Sequence, residues 1–237
     1  INNGNNTFSN IANLSGVAKT DWSWAPLFAD FNNDGYKDYF VSNGFRKAFG
    51  DNDFRIKLRK AKQGKLDQET REKLYSEMPE VKLHNKLFIN NGNLKFSDFA
   101  YEQGLDQLSF SNGAAYADLD NDGDLDLVVN NIDQPVFIYR NNTEKNNTTQ
   151  FLRINLNSTN SADYYNTKVS IHYDNQIQLQ EYSPSRGFQS CVEHILHFGV
   201  PKQESVLDSL VVNWVDGSHQ VIREVELNRV INIDKSN

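Results

Sequence analysis

Cysteine is all but missing from the 237 residues: Cys191 stands alone, so no disulfide can close within the chain and cysteine-rich zinc sites are excluded. Glycine and proline are sparse as well, at 13 and 5 residues, which removes the collagen-like and low-complexity classes. No apolar run approaches the roughly 18 to 20 residues that span a bilayer, so no transmembrane segment is expected. Positive charge is in deficit. Lys and Arg number 24 against 31 Asp and Glu, a net of −7, which disfavours nucleic acid and anionic lipid as partners. The chain also lacks G-x-S-x-G, H-E-x-x-H, a P-loop and a dinucleotide glycine fingerprint, so no catalytic constellation is identified and a non-enzyme is expected. What remains is 38% hydrophobic and 12% aromatic, enough for an ordered core.

Sliding the sequence against itself by 88 residues reveals a duplication. Ile1-Asn-Asn-Gly-Asn5 recurs as Ile89-Asn-Asn-Gly-Asn93, Ala29-Asp30 as Ala117-Asp118, and Asn33-Asp34-Gly35 as Asn121-Asp122-Gly123. Of the first 43 positions, 18 are identical without a gap. Between the copies, about residues 45–84, Lys and Arg number 11 against 7 Asp and Glu, while the rest of the chain has 13 against 24. This stretch reads as an insertion. Asp51 or Asp53 can cap a helix through Ile56, Leu58 and Ala61 with Gly64 as its stop, and Asp67 can cap a second one through Leu74 to Met78, ended by Pro79. A helical hairpin is expected there, serving as a docking element or as a solvated face. Without it the repeat shrinks to about 48 residues, which suits one four-stranded propeller blade.

The run Asn141 to Gln150 is polar and aperiodic and reads as a linker or wide turn, so the repeats are assigned to 1–147 and a second domain to 148–237. From Phe151 onward, segments with a period of two follow one another: Phe151–Leu156, Lys168–Tyr173, Gln176–Tyr182, Val192–Phe198, Ser209–Trp214, Val221–Val225 and Val230–Ile233. Asp174-Asn175 and Asp216-Gly217 supply turns. The expected fold class is all-β: a partial β-propeller of two blade-like repeats with a helical insertion, followed by a β-sandwich.

Each repeat carries an acidic nine-residue loop. In the first, oxygens fall at Asp30, Asn32, Asp34 and Asp38 with the carbonyl of Tyr36; in the second, at Asp118, Asp120, Asp122 and Asp126 with the carbonyl of Asp124. Alternate side chains converge inside a tight turn, and the glycine at the sixth position permits the bend. A hard cation such as Ca²⁺ collects six to eight oxygens in this way. Position 12, where an EF-hand has its bidentate Glu, is Val41 in one loop and Val129 in the other, so these are not EF-hands. The apolar residues on both sides imply strands joined by each loop. Ordinary Asx turns are the alternative, but carboxylates crowded into one turn repel unless a cation joins them. Two ions, most simply Ca²⁺, are expected. Asn32 in place of Asp120 gives the first loop one less negative charge and, by that argument, weaker binding.

The two loops, D-x-N-x-D-G-x-x-D and D-x-D-x-D-G-x-x-D, resemble those of FG-GAP or VCBS blades in integrin-type β-propellers, as does the phrase Asn112-Gly-Ala-Ala-Tyr-Ala-Asp118. The second half resembles the ASPIC/UnbV domain in Arg186-Gly-Phe-Gln-Ser190, Leu196-His-Phe-Gly199 and Asp208-Ser-Leu-Val-Val-Asn-Trp-Val-Asp-Gly217, with Val215 and Pro201 as departures. Together they are similar to large secreted or surface proteins of Bacteroidetes-type bacteria. The resemblance implies a calcium-binding extracellular or cell-surface scaffold or recognition module, associated with an outer membrane and meeting a partner protein or glycan. Two blades do not close a ring, so further blades are expected upstream. A polysaccharide lyase or hydrolase on a propeller is the competing reading, and a pocket uniting His, Tyr and Arg would favour it.

Outside the loops, His194 and His197 are expected on opposite faces of one strand and not to share a metal. Cys191 is expected to be a packed thiol in a buried strand. Trp22 and Trp24 are expected in the core, with ligand platforms as the alternative. Arg186 with Gly187, Phe188 and Tyr182 is either a structural turn or a recognition edge.

Overall fold

The computed structural model describes residues 1–48, 50–62, 67–146, 148–158, 163–187, 189–203 and 206–235. In chain order its elements are a one-turn helix α1 (Ala12–Ser15), strands β1 (Ser23–Ala29) and β2 (Asp38–Asn43), helices α2 (Asn52–Lys62) and α3 (Gln68–Ser76), and strands β3 (Leu83–His84), β4 (Lys86–Asn90), β5 (Phe96–Asp98), β6 (Leu108–Ser109), β7 (Ser111–Ala117), β8 (Asp126–Asn131) and β9 (Phe137–Tyr139). A short 3₁₀ turn at Thr143–Asn146 leads into β10 (Thr149–Asn157), β11 (Lys168–Tyr173), β12 (Gln176–Glu181), β13 (Leu196–Pro201), β14 (Val206–Asn213), β15 (His219–Glu226) and β16 (Arg229–Asp234). Among the described residues, α-helix is confined to α1 and the insertion. The fold is all-β, and none of its sheets closes into a barrel.

The duplication is one of strands as well as letters. β1 and β7, and likewise β2 and β8, lie 88 residues apart, and both hairpins carry an irregular register in the same place, between Ser23 and Pro26 and between Ser111 and Gly113. The Asn2 and Phe8 bridge repeats as the Asn90 and Phe96 pair of β4 and β5. The first blade is a four-stranded sheet in the order β1-β2-β4-β5, whereas the second holds three strands, β7-β8-β9. β1 packs against β7, and Ala25, Leu27, Phe40, Ala114, Leu127 and Val129 share a buried cluster between the blades.

The insertion holds the two expected helices, α2 and α3. Asp51 accepts from the Phe54 amide at 2.7 Å and Asp67 from the Thr70 amide at 2.8 Å, so Asp51 and not Asp53 caps the first helix. The expected stop at Gly64 lies outside the described residues. At its base, Arg46 and Lys47 both reach Glu80, at 3.0 and 2.8 Å, and Arg46 reaches Asp133 at 2.6 Å.

The seven strands β10 to β16 form two facing sheets, β13-β10-β16 and β12-β11-β14-β15, over a core that includes Leu152, Ile154, Val169, Ile171, Phe198, Leu210 and Trp214. β10 and β16 run parallel; the other pairs are antiparallel. The β13-β10 pair is buried on both faces. Leu152, Ile154, Leu196 and Phe198 point into the sandwich, so the period of two sends Phe151, Arg153, His197 and Gly199 to the other side. There they form two cross-strand pairs, Arg153 with His197 and Phe151 with Gly199. That outer face lies against the acidic loops.

Four expectations need correction. Val192–Phe198 is not one strand: Val192 joins the cluster between the blades, the Glu193 amide donates to the Tyr116 carbonyl at 3.2 Å, and pairing in the sandwich begins only at Leu196. Cys191 is exposed, because its segment makes a single bridge to Ser185 as it crosses the second blade. Trp22 is 48% exposed and Trp24 half-buried; both rings lie on Phe45 at the root of the insertion instead of in the core. Asn141 to Asn146 is a tight connector and not a loose linker: the Asn141 side chain donates to the carbonyls of Phe31 and Leu125, at 2.6 and 3.2 Å.

Gly199 permits a close backbone approach of the two halves. A Cβ there would sit 2.2 Å from Asp30 Oδ2 and 2.4 Å from the Asn33 Cα. Gly199→Ala is expected to cost about 1–3 kcal/mol by overpacking this backbone contact, whereas Gly50→Ala, with nothing near its Cβ, leaves stability unchanged. Urea denaturation of the two variants checks this.

Candidate metal centre

Both acidic loops are built by the same internal hydrogen bonds. In the first, Asp30 accepts from the amides of Asp34 and Gly35 at 3.1 and 2.8 Å; in the second, Asp118 accepts from those of Asp122 and Gly123, both at 3.1 Å. Asp38 accepts from Phe31 and Asn90, and Asp126 from Leu119 and Asn141, all through main-chain N–H groups at 2.8 to 3.1 Å. Asn90 and Asn141 are thus equivalent, although one follows its aspartate by 52 residues and the other by 15. That difference is the insertion. Gly35 and Gly123 adopt φ of 92° and 94°, a region open chiefly to glycine, so the bend at the sixth position is obligatory.

Oxygens of Asp118, Asp120 and Asp126 lie within 4.8 Å of one another. Ligands held at 2.3–2.6 Å from one Ca²⁺ span no more than about twice that distance, so this donor set fits a hard cation. Asp122 does not join the three. It turns with Asp124 toward Glu144, a residue that sequence reasoning missed, in a second group of carboxylates within 4.8 Å. The Asp124 side chain also accepts from the Glu144 amide at 2.5 Å. In the first loop, Asn32 donates to Asp34 at 2.9 Å and takes the place of the third carboxylate. The Tyr36 side chain is exposed, which leaves its carbonyl as the ligand this position offers.

The loops differ in what neutralises them. Arg140 reaches Asp120 and Asp122 at 2.7 and 3.2 Å, and Arg153 reaches Asp118 at 2.7 Å. Among the described residues, Asp30, Asp34 and Asp38 have no such ion pair. The charge argument for weaker binding at the first loop therefore loses its force: the second loop's added Asp120 already pairs with Arg140, and its Asp118 with Arg153.

Both loops are fixed from outside. Asn33 donates to the Gly123 carbonyl and to Asp124 Oδ1, at 3.1 and 2.8 Å, and its Oδ1 meets His197 Nε2 at 2.6 Å. With both Asn33 donors used, its oxygen is the acceptor, so His197 carries its proton on Nε2. Burial holds His197 neutral, lowering its pKa to about 3, with Arg153 and Lys37 adding to the effect. His194 is exposed and lies edge-on to Tyr182, so the two histidines share nothing. Arg153 is 2% exposed and bridges Asp118 to Glu193, the latter at 2.5 Å. Phe151 stacks on His197 and fills the space where a side chain on Gly123 would sit. No motif flagged Arg153, Asn33 or Glu193; the only hint for Arg153 was a charged residue between apolar neighbours in a strand.

Burial drives the loop carboxylates toward the protonated form. Asp30 is pushed well above its ordinary value by desolvation and by Asp34, and burial raises Asp38 and Asp124 to about 7. A carboxylate raised in the fold binds its proton more tightly there than in the unfolded chain, where it titrates near about 4. Its stabilising contribution is full below that value and is lost as pH rises to about 7. Cation binding needs the ionised form. The chelated protein is therefore expected to lose stability from these groups between about pH 4 and 7, while the stabilisation added by Ca²⁺ grows over the same range; calorimetric melting with and without Ca²⁺ measures both. Arg153→Met strands Asp118 and Glu193 and is expected to cost about 3–5 kcal/mol in denaturant unfolding.

Comparison with known families places two segments. Residues 157–237 match the ASPIC and UnbV family model, and residues 1–41 match the model of the FG-GAP-like repeat. No curated protein matches the chain. β10, with Arg153, ends where the first match begins, so the docking strand lies almost wholly outside the matched segments. The chain joins an FG-GAP-like repeat, duplicated once, to an ASPIC and UnbV domain.

Proposed function

We propose that the protein is a calcium-stabilised scaffold and recognition module of an extracellular or cell-surface assembly, in which ions held by the loops at 30–38 and 118–126 lock the blades to the sandwich and free the outer loops to meet a partner. The combination of an FG-GAP-like repeat with an ASPIC and UnbV domain supports an extracellular recognition reading. The observation that carries the calcium reading is the convergence of Asp118, Asp120 and Asp126 at a partly buried junction. The ions would act structurally, by compensating carboxylates that burial otherwise protonates. Among the described residues no helix is long and apolar enough to cross a membrane.

The competing polysaccharide-acting enzyme requires His, Tyr and Arg in a pocket of substrate size. His197, Tyr116, Tyr182 and Arg186 do line one cavity, but it measures about 20 Å³, whereas ligand pockets run to roughly 300–1,000 Å³. That volume holds about one water. Phe188, the remaining member of the Arg186 edge, lies outside the described residues.

Calorimetric titration of chelator-treated protein with Ca²⁺, beside an Asp34→Ala, Asp120→Ala double variant, tests the reading. Two sites in the parent and a loss of heat in the variant are expected. Absence of both heat and thermal stabilisation in the parent would return the loops to ordinary turns.

A further inference from the structure

A second, larger cavity lies between the blades, beside the 140–146 connector, and encloses about 270 Å³. Its floor is apolar: Phe31, Leu87, Leu105, Leu125 and Leu127 are buried, and Ile89 is half-buried. Its mouth is polar, and most of the groups there are committed. The Tyr139 hydroxyl donates to Gln107 at 2.7 Å, Asn32 to Asp34, and Asn142 to the Arg140 carbonyl. Three groups remain. The carboxamides of Gln103 and Asn146 make no hydrogen bond among the described residues, and Arg140 spends Nε and Nη2 on acidic partners but not Nη1.

Charge narrows the ligand. Arg140 is balanced by Asp120, Asp122 and Glu144, and among the described residues no other cation or anion lines the cavity, so neither an anionic nor a cationic ligand finds an unmatched counter-charge. A carboxamide both donates and accepts, as a hydroxyl does, and guanidinium N–H donates to a hydroxyl oxygen. A pyranose offers hydroxyls at its rim and C–H groups on its faces, which suits free carboxamides above an aliphatic floor. The volume is near the roughly 300 Å³ lower end of small-ligand pockets, which corresponds to one ring and not a chain.

We propose that this inter-blade cavity binds a single uncharged sugar residue, held by Gln103, Asn146 and Arg140 over the Leu87, Leu125 and Leu127 floor. The proposal rests on the recognition reading above but not on its calcium term. An apolar side chain of a partner polypeptide would use the floor and leave both carboxamides idle, which makes it the less complete match.

Saturation-transfer NMR with the methyl glycosides of glucose, galactose and mannose and with N-acetylglucosamine, at tens of millimolar, tests it on calcium-loaded and chelated protein. Transfer to the ring protons of at least one sugar is expected, with affinity falling about tenfold or more in Gln103→Ala, Asn146→Ala, a loss of at least one hydrogen bond's worth of binding. Both side chains are exposed, so the double variant is expected to fold as the parent does, and its melting temperature verifies this. No transfer to any of the four sugars overturns the proposal, as does equal binding by the double variant. Transfer to N-acetyl-leucine amide without transfer to a sugar also overturns it, in favour of a peptide side chain. Failure of the calcium reading registers separately, in the Ca²⁺ titration.

Discussion

Arg153 carries a full positive charge into a place where it is 2% exposed, and the arrangement of both halves of the chain follows from satisfying it. Removing a guanidinium from water costs several kcal/mol unless carboxylates meet it in good geometry. Its two partners come from different segments. Asp118 opens the second acidic loop, and Glu193 belongs to the stretch that crosses from the sandwich back over the blades. One buried charge thus sets the relative position of a strand, a loop and a connection, and a shift of any of the three leaves an ion unpaired.

Alternation along β10 and β13 makes this possible. Because successive residues face opposite ways, the same two strands seal the sandwich with Leu152, Ile154, Leu196 and Phe198 and present Phe151, Arg153, His197 and Gly199 to the loops. Gly199 lets the backbone of the first loop approach, and Phe151 occupies the space beside Gly123 of the second. Asn33 then ties the loops together and to His197. The acidic loops consequently sit between the blades and the sandwich, and burial is what raises their carboxylates.

Much of this was legible in the residues. The shift of 88 marked strands that superpose in sequence position, and the glycine at the sixth loop position marked a backbone turn that few other residues adopt. Seven alternating segments marked seven strands, with ends displaced by a few residues. Misreadings fell where tertiary packing overrides local pattern. Val192 looks like the start of a strand because it is apolar, yet it is buried by the blades. Cys191 beside it looks buried for the same reason and is exposed. Asn141 looks like linker because it is polar, yet its carboxamide joins the carbonyls of two loops.

By itself the sequence determined what depends on near neighbours: strand period, helix caps, turn glycines and the oxygen spacing within each loop. Tertiary structure decided which oxygens converge. Asp122 turned away from Asp118 toward Asp124 and Glu144, and Arg140 and Arg153 came to face the second loop and not the first. The reason is physical. Charge and hydrogen-bond partners separated by 35 or 164 residues meet only when sheets pack, and no local propensity encodes that meeting.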